Sequence, residues 1–126
     1  MPTNKCPCGT NKPFANCCAM IWQQPKLATH PEQIMRARYS AHVKNNMAFI
    51  AASWHGLTRP QNMADVAAWN SSCTWLGLKV ISSSRNGNKG KVEFTALYKQ
   101  GSELNQHHEL AEFVFENEQW WYLDRD

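Results

Sequence analysis

Four of the five cysteines lie within thirteen residues near the start of the sequence, with the spacing C-x-C-x8-C-C. They are Cys6, Cys8, Cys17 and Cys18. Thiolates are soft ligands, and four of them at short spacing suit one tetrahedral zinc ion. Pro7 and Gly9 predict a tight turn that aims Cys6 and Cys8 at one point. The spacing therefore predicts a metal site. Iron takes the same ligands, so this pattern leaves zinc and iron both open.

Two other interpretations of the cysteines are a disulfide staple and a redox site. Neighbouring cysteines such as Cys17 and Cys18 seldom bridge each other, and no secretory signal precedes them. The C-x-x-C motif that usually precedes the helix of a thiol oxidoreductase is missing. Both interpretations are therefore weaker than the metal site. Lys5 and Lys12 stand where they offset part of the negative charge of four thiolates.

The composition limits the class of protein. A chain of 126 residues with 43% hydrophobic and 18% charged residues allows one packed domain and a small appendage. A net charge of +3 is too small to indicate a nucleic-acid-binding surface. No apolar run is long enough for a membrane helix, and the N-terminus has no apolar signal region. We therefore expect a cytoplasmic protein that binds no nucleic acid and does not span a membrane.

The hydrophobic period changes from helical to strand-like near the middle of the chain. Helices are predicted over residues 29–44, 47–54 and 60–69. Strands are predicted over residues 75–83, 91–99, 106–116 and 120–124, joined by short turns. Helices followed by consecutive hairpins indicate an α+β fold with an antiparallel sheet. The predicted organisation is a zinc knuckle at 1–18, a linker on the domain surface at 19–30, and an α+β domain at 31–126.

Five stretches of the sequence carry a family resemblance. Residues 6–18, with Cys-Pro-Cys-Gly-Thr, a phenylalanine and the final Cys-Cys, resemble the SEC-C motif, a short metal-binding module. Residues 31–41 and 53–55 resemble the YchJ-like family of uncharacterised bacterial proteins. Residues 108–113 and 119–124 fit the same family near its C-terminal end. Together these stretches span nearly the whole sequence.

The resemblance implies an architecture and a metal site, and no reaction. The middle domain of the family is similar to the nuclear transport factor 2-like fold, in which a curved sheet wraps on helices to form a cone. Folds of this type often form homodimers through the open face of the sheet. SEC-C modules act in contacts with secretion chaperones or ribosomes. Relatives often carry a second cysteine knuckle after the last strand, whereas this sequence has one, so we expect a single metal module.

The mouth of such a cone is the expected place for a ligand. The predicted pocket residues are Tyr39, Trp54, His55, Trp75, Glu109 and Trp120. Two alternatives stay open. The six tryptophans of the sequence can simply fill a large cone, and His55, at the end of a predicted helix, can act as a cap. The sequence contains no Ser-His-Asp set, no phosphate-binding glycine loop and no second metal cluster. No catalytic residue is assigned, and binding is favoured over catalysis.

Two functions from different classes follow. The first is a protein-interaction or adaptor protein, in which a zinc knuckle presents a small surface to a partner. The basic side chains of Lys5 and Lys12 favour an acidic partner. The alternative is a small-molecule-binding protein or enzyme that uses the aromatic pocket of the cone. A third interpretation of the zinc is purely structural, as a clip that fastens the N-terminus to the domain.

Overall fold

The computed structural model describes residues 5–125, and in this part of the chain helices precede strands as the change of period predicts. The helices are α1 (Cys18–Gln23), α2 (Pro31–Val43), α3 (Met47–Ala52) and α4 (Ala64–Ser71). Single 3-10 turns lie at Phe14–Asn16 and Pro25–Leu27. A four-stranded antiparallel sheet follows, so the predicted α+β class is confirmed.

Helix α2 is the longest helix and the most buried. Pro31 occupies its first turn, where a missing N–H costs nothing. The predicted cap, Thr29, is wrong, because His30 takes this position. His30 Nδ1 accepts from the Glu32 N–H, and Gln33 Oε1 reaches back to accept from the His30 N–H at 3.0 Å. Eight of the thirteen residues of α2 are buried, so other elements cover this helix on more than one side.

The sheet is a meander in the order β1-β2-β3-β4. Its strands are β1 (Cys73–Asn86), β2 (Lys89–Gln100), β3 (Glu103–Glu116) and β4 (Gln119–Arg125). Each is longer than predicted, because strand pairing continues to the turns. Gly87 and Gly101 have positive φ values of 61° and 65°, the conformation that a short hairpin turn requires of its glycine.

A β-bulge in β1 changes which residues face the helices. Strict alternation predicts Leu76 on the same face as Leu78 and Val80. The pairing register shifts between Trp75 and Gly77, and the extra residue moves Trp75 onto that face. Leu76 is instead 51% exposed. It lies with Ile81 and Leu97 among the exposed apolar residues of the sheet. Homodimerisation through the open sheet face stays a prediction.

The segment predicted as an irregular linker, residues 19–30, is largely helical. Sequence periodicity missed α1 because six residues are too few to show a helical repeat. Ile21 is buried, and the Trp22 indole N–H donates to the Ala37 carbonyl of α2 at 2.9 Å. These contacts attach the segment to the domain. Every helix in residues 5–125 is too short or too polar to span a lipid bilayer.

Gly90 is required where helix and sheet meet. The sequence predicts Lys89-Gly90 as part of a turn, but both residues lie in β2. Trp120, only 1% exposed, and Pro31 pack directly against the Gly90 backbone. A Cβ at this position would lie 2.6 Å from Pro31 Cγ and 3.2 Å from Trp120 Cζ3.

We predict that Gly90→Ala lowers the free energy of unfolding by about 2–3 kcal/mol, as overpacking of a core contact does. Urea denaturation followed by tryptophan fluorescence measures the change. Gly77→Ala is the matched control, because no atom lies within 4 Å of its added Cβ. Equal stability of the two variants would contradict the packing described for Gly90.

Candidate functional site

The four clustered cysteines converge on one point. Their Sγ atoms all lie within 4.8 Å of one another, and the Cys8 and Cys17 sulfurs are 3.7 Å apart. A tetrahedral ion with Zn–S bonds of about 2.3 Å holds its sulfurs about 3.8 Å apart. Cys6, Cys8 and Cys18 are buried, and Cys17 is half-buried. All five cysteines are free thiols, so the disulfide interpretation finds no support.

Local backbone structure brings these sulfurs together. Gly9 has a φ of +90°, and its N–H donates to the Cys6 carbonyl, which closes the tight turn between Cys6 and Cys8. Cys17 follows the 3-10 turn Phe14–Asn16, and Cys18 is the first residue of α1. The two neighbouring cysteines thus lie at the junction of two short helical segments.

Polar groups of α2 complete the surroundings of the cluster. The Ser40 hydroxyl lies 3.4 Å from Cys6 Sγ, and Arg36 Nη1 donates to the Cys8 carbonyl at 2.5 Å. Arg36 also pairs with Glu32 at 2.8 Å. The predicted neighbours, Lys5 and Lys12, are exposed, and Arg36 is instead the cation that contacts the cluster. Sequence spacing missed Arg36 because it is 28 residues from Cys8 along the chain.

Hydrogen bonding between the sulfurs favours a thiolate. The hydrogen bond from Cys18 lowers the pKa of Cys8 to about 4, although burial opposes this change. The same hydrogen bond, with burial, raises the pKa of Cys18. A divalent cation would stabilise all four thiolates together, since each is a ligand only when deprotonated. Four sulfurs at this separation therefore fit one tetrahedral metal ion.

A separate cavity of about 560 Å³ opens between the inner face of the sheet and the helices. Its wall is mostly aromatic and apolar, with several polar groups among the rings. The lining residues are Met35, Arg38, Tyr39, His42, Trp54, Asp65, Val66, Trp69, Trp75, Phe94, Ala96, His107, Glu109, Ala111, Phe113, Tyr122 and Arg125.

Four of the six predicted pocket residues line this cavity: Tyr39, Trp54, Trp75 and Glu109. The structure puts the other two elsewhere. His55 Nε2 lies 3.2 Å from a Glu116 carboxylate oxygen, and the His55 backbone N–H donates to the Tyr122 carbonyl of β4. Trp120 is buried in the core against Gly90 and Phe115. Their assignment to the pocket is therefore corrected.

Glu109 is the central carboxylate of the cavity. Its Oε1 lies 2.9 Å from His107 Nε2, and its Oε2 accepts from the Tyr122 hydroxyl at 3.1 Å. Arg125 approaches Oε1 at 3.9 Å. Burial, with the nearby negative charge of Glu109, raises the pKa of Tyr122, so its hydroxyl remains a donor. Both oxygens of the Glu109 carboxylate are therefore already contacted by polar or charged groups of the protein.

His42 presents a neutral imidazole to the cavity. Asn70 Oδ1 accepts from the Trp75 indole N–H at 2.9 Å, because an indole nitrogen only donates. The His42 Nδ1, also 2.9 Å from this oxygen, must then carry a proton. Burial lowers the pKa of His42 to about 4, so its Nε2 is unprotonated at neutral pH. His42 thus offers a hydrogen-bond acceptor.

Sequence reasoning missed Arg38, His42 and Tyr122 as pocket residues. One signal was available: Arg38 falls within the apolar face of α2, between Ile34, Met35 and Tyr39. A charged residue at a buried helical position usually has a reason to be there. Tyr122 lies on the strand face opposite Trp121, and only the three-dimensional register brings it to Glu109.

Comparison with known proteins agrees with this architecture. A family model described as YchJ, middle NTF2-like domain, matches residues 30–125. The chain belongs to the YchJ-like family. It is 35% identical to a UPF0225 protein of Geobacter sulfurreducens, over 97% of this chain and 78% of the relative. It is also 35% identical to a UPF0225 protein of Vibrio cholerae, over 94% of this chain and 80% of the relative.

Two solved structures are similar to this YchJ-like chain, and both are of SEC-C motif containing proteins. The solution structure of the Rhodopseudomonas palustris protein has a TM-score of 0.83 and 30% identity, covering 97% of both chains. The crystal structure of the Psychrobacter arcticus protein has a TM-score of 0.78 and 26% identity, covering 95% of this chain and 80% of that protein. The SEC-C resemblance and the family are thus confirmed.

The lowered pKa of His42 predicts a pH-dependent stability. The ordinary pKa is near 6.5 and the folded value is about 4, so the unfolded chain binds more protons between these values. The contribution of His42 to the free energy of unfolding is therefore complete above pH 6.5. It decreases by about 2–3 kcal/mol as the pH falls toward 4.

Urea denaturation at several pH values checks this prediction. His42→Asn retains a donor near the Nδ1 position but does not titrate, so the variant should lack this part of the pH dependence. Taking the difference between the two proteins cancels the titration of other groups. Identical pH slopes for both would show that His42 is not held neutral by burial.

Proposed function

We propose that this YchJ-like protein is a zinc-stabilised, cytoplasmic, small-molecule-binding protein. In this proposal, residues 1–18 hold one structural zinc ion, and the cavity of the domain at residues 31–126 holds the ligand. The lining of the cavity carries the proposal, since aromatic walls with a few convergent polar groups are typical of ligand sites. Free cysteines and a thiolate metal site suit a reducing compartment.

The burial of the cysteines supports a structural ion rather than a catalytic one. Catalytic zinc sites keep one coordination position open to water or substrate. Here four protein sulfurs are available, and Cys8 is 0% exposed. Cys6, Cys8 and Cys18 also belong to the same hydrophobic core as Ile34 and Ala37 of α2. Zinc is preferred because it is redox-inert and tetrahedral, although iron takes the same ligands.

We predict that purified protein contains about one zinc ion per chain and that Cys8→Ser loses it, because three thiolates and a hydroxyl bind zinc weakly. The melting temperature should fall by about 10 °C, as expected when a few kcal/mol of stability is lost. Elemental analysis and calorimetry measure these changes.

Cys73→Ser is the matched control, since Cys73 begins β1, its sulfur contacts the Trp69 carbonyl of α4, and it lies outside the cluster. This variant should keep the metal. Iron in place of zinc would correct the identity of the ion. Retention of the metal by Cys8→Ser would contradict the four-cysteine site.

The aromatic wall of the cavity supports a flat, largely apolar ligand. The Trp75 ring contacts Tyr39, Trp69 and Tyr98, with ring centroids 5.3–5.9 Å apart. Trp54 contacts Tyr122 edge-on at 5.2 Å. Rings held in this way are rigid, so a ligand that stacks on them need not order them first.

We predict that indole, used as a neutral planar probe, shifts the indole N–H NMR signals of Trp54, Trp69 and Trp75. Trp75→Leu should weaken binding by about fivefold or more, since one stacking surface is lost. Trp121→Leu is the control, because the Trp121 indole N–H donates to the Glu116 carbonyl outside the cavity. Equal weakening by both variants, or no signal shift with millimolar indole, would contradict a ligand site in the cavity.

A second candidate function is the adaptor role, with an acidic segment of a partner protein as occupant. It is favoured by a groove beside the cysteine cluster, of about 450 Å³, which we call the knuckle groove. Met20 and Leu27, each 44% exposed, give it apolar walls, and Lys12 and Arg36 give it basic groups. The knuckle groove is lined by Thr10, Lys12, Asn16, Cys17, Cys18, Met20, Ile21, Leu27, Glu32, Gln33 and Arg36.

Leu27→Asp tests this second candidate, because it adds a repelling charge to the groove without touching a cysteine. A partner that co-purifies in fixed stoichiometry should be lost from Leu27→Asp, while the zinc content stays unchanged. Cross-linking should map its contact to an acidic segment. A partner that binds both proteins equally, or through a basic segment, would contradict the adaptor role of the knuckle groove.

A further inference from the structure

Arg38 brings a positive charge into the cavity from helix α2. Its side chain is 8% exposed, and Nη1 donates to the Ile50 carbonyl at 2.9 Å and to the Ser53 hydroxyl at 2.8 Å. The guanidinium carbon lies 5.0 Å from the centroid of the Trp54 ring and 4.3 Å from that of Tyr122. Packing and hydrogen bonds therefore fix both the position and the plane of this cation.

The charge of Arg38 has no ion-pair partner among residues 5–125. Both of its acceptors are uncharged, and Glu109, a carboxylate of the cavity, pairs with Arg125 and His107 instead. Burial lowers the pKa of Arg38 to about 10, with Tyr122 and Glu109 opposing, so the group remains charged at neutral pH. A buried charge without a direct ion pair is costly, and an anionic ligand would reduce that cost.

Two guanidinium nitrogens of Arg38 remain available to a ligand. Within the described part of the chain, both hydrogen bonds of the group come from Nη1. In the same residues, no fully enclosed side-chain nitrogen or oxygen lacks a hydrogen-bond partner. The Nε and Nη2 atoms are therefore not fully enclosed, and Arg38 lines the cavity. Two neighbouring N–H groups on one planar edge match the two oxygens of a carboxylate.

The remainder of the cavity defines the rest of the ligand. Trp54, Trp75 and Phe94 provide flat apolar surfaces, which suit an aromatic ring system. A single unpaired arginine suits a monoanion better than a phosphate dianion, which needs more donors. Glu109 would also repel a second negative charge. The size and the walls together suit a planar molecule of one or two rings.

We propose that the cavity binds aromatic carboxylates, with the carboxylate on Arg38 Nε and Nη2 and the rings between the tryptophans. This inference rests on the proposed small-molecule function and specifies its ligand class. Arg38 is thus a binding residue, and the charge of the ligand determines its affinity. Neutral aromatic molecules of the same shape bind the same aromatic walls but lack the contact between a carboxylate and Arg38.

The test compares 2-naphthoate with its neutral analogue 2-naphthamide on the full-length, zinc-loaded protein. Isothermal calorimetry measures both affinities, and indole N–H NMR signals of Trp54 and Trp75 report binding in the cavity. We expect 2-naphthoate to bind at least about tenfold more tightly, as a charge-assisted pair in a desolvated site does. Arg38→Gln should remove this preference, and Arg85→Gln, outside the cavity, should retain it.

Each outcome supports or overturns one of the two proposals. If both probes bind in the cavity with equal affinity, the carboxylate proposal is overturned and the small-molecule function stands. If neither probe shifts the tryptophan signals, both proposals fail. If Arg38→Gln still prefers 2-naphthoate over 2-naphthamide, another residue binds the carboxylate, and the role of Arg38 is overturned. If Arg38→Gln does not fold, Arg38→Lys replaces it, because a lysine keeps the charge without the planar edge. This variant must then lose most of the preference.

Discussion

Helix α2 is the element on which the rest of the molecule depends, because it is buried on two sides with different chemistry. One side contacts the cysteine cluster through Arg36 and Ser40. The other side contributes Arg38, Tyr39 and His42 to the cavity. A helix buried in this way has little freedom to shift, since any movement disturbs both contacts at once. The cluster and the cavity are therefore physically connected, although they do not share a residue.

A metal ion held by the cysteine cluster, as proposed, would help to shape the domain. Residues 5–24 are too few to form a hydrophobic core of their own, so binding of a metal ion would supply the free energy that orders them. Once ordered, Ile21 and Trp22 pack on α2 and shield it from water. The cluster thus acts as part of the domain core, as the structural-clip interpretation expects.

The cavity differs from an ordinary core in how its polar groups are satisfied. Glu109 and His42 each have protein partners that fix their charge state and orientation. Arg38 is a buried cation beside the aromatic wall that has no ion pair within residues 5–125. Polar groups that converge in an apolar cavity are expensive to maintain, so their presence favours a function for the space over simple incomplete packing.

Local patterns in the sequence predicted much of this structure. The cysteine spacing predicted that the four sulfurs converge, and the change of hydrophobic period predicted helices followed by an antiparallel meander. Several of the failures share one cause, which is long-range packing. The sequence around Gly90 is typical of a turn, whereas in the structure Gly90 is a strand residue that packs against Pro31 and Trp120. Likewise, a bulge that only strand pairing reveals turns Trp75 toward the helices.

The polar pocket residues were missed for the same reason. Arg38, His42 and Tyr122 come from a helix and a distant strand, and no spacing in the sequence relates them. The family resemblance supplied the architecture and the cysteine motif, while it carried no information on the side chains that converge in the cavity. Only the folded arrangement relates Arg38 to Tyr122 or His42 to Asn70.

The most direct test of this account is hydrogen exchange of α2, measured by mass spectrometry with the metal bound and after its removal by a chelator. If the cluster holds one face of the helix, the backbone amides that follow Pro31 in α2 should exchange at least about tenfold faster without the metal, as local unfolding becomes easier. Unchanged protection of α2 after complete removal of the metal would contradict the account, because the helix would then not depend on the cluster.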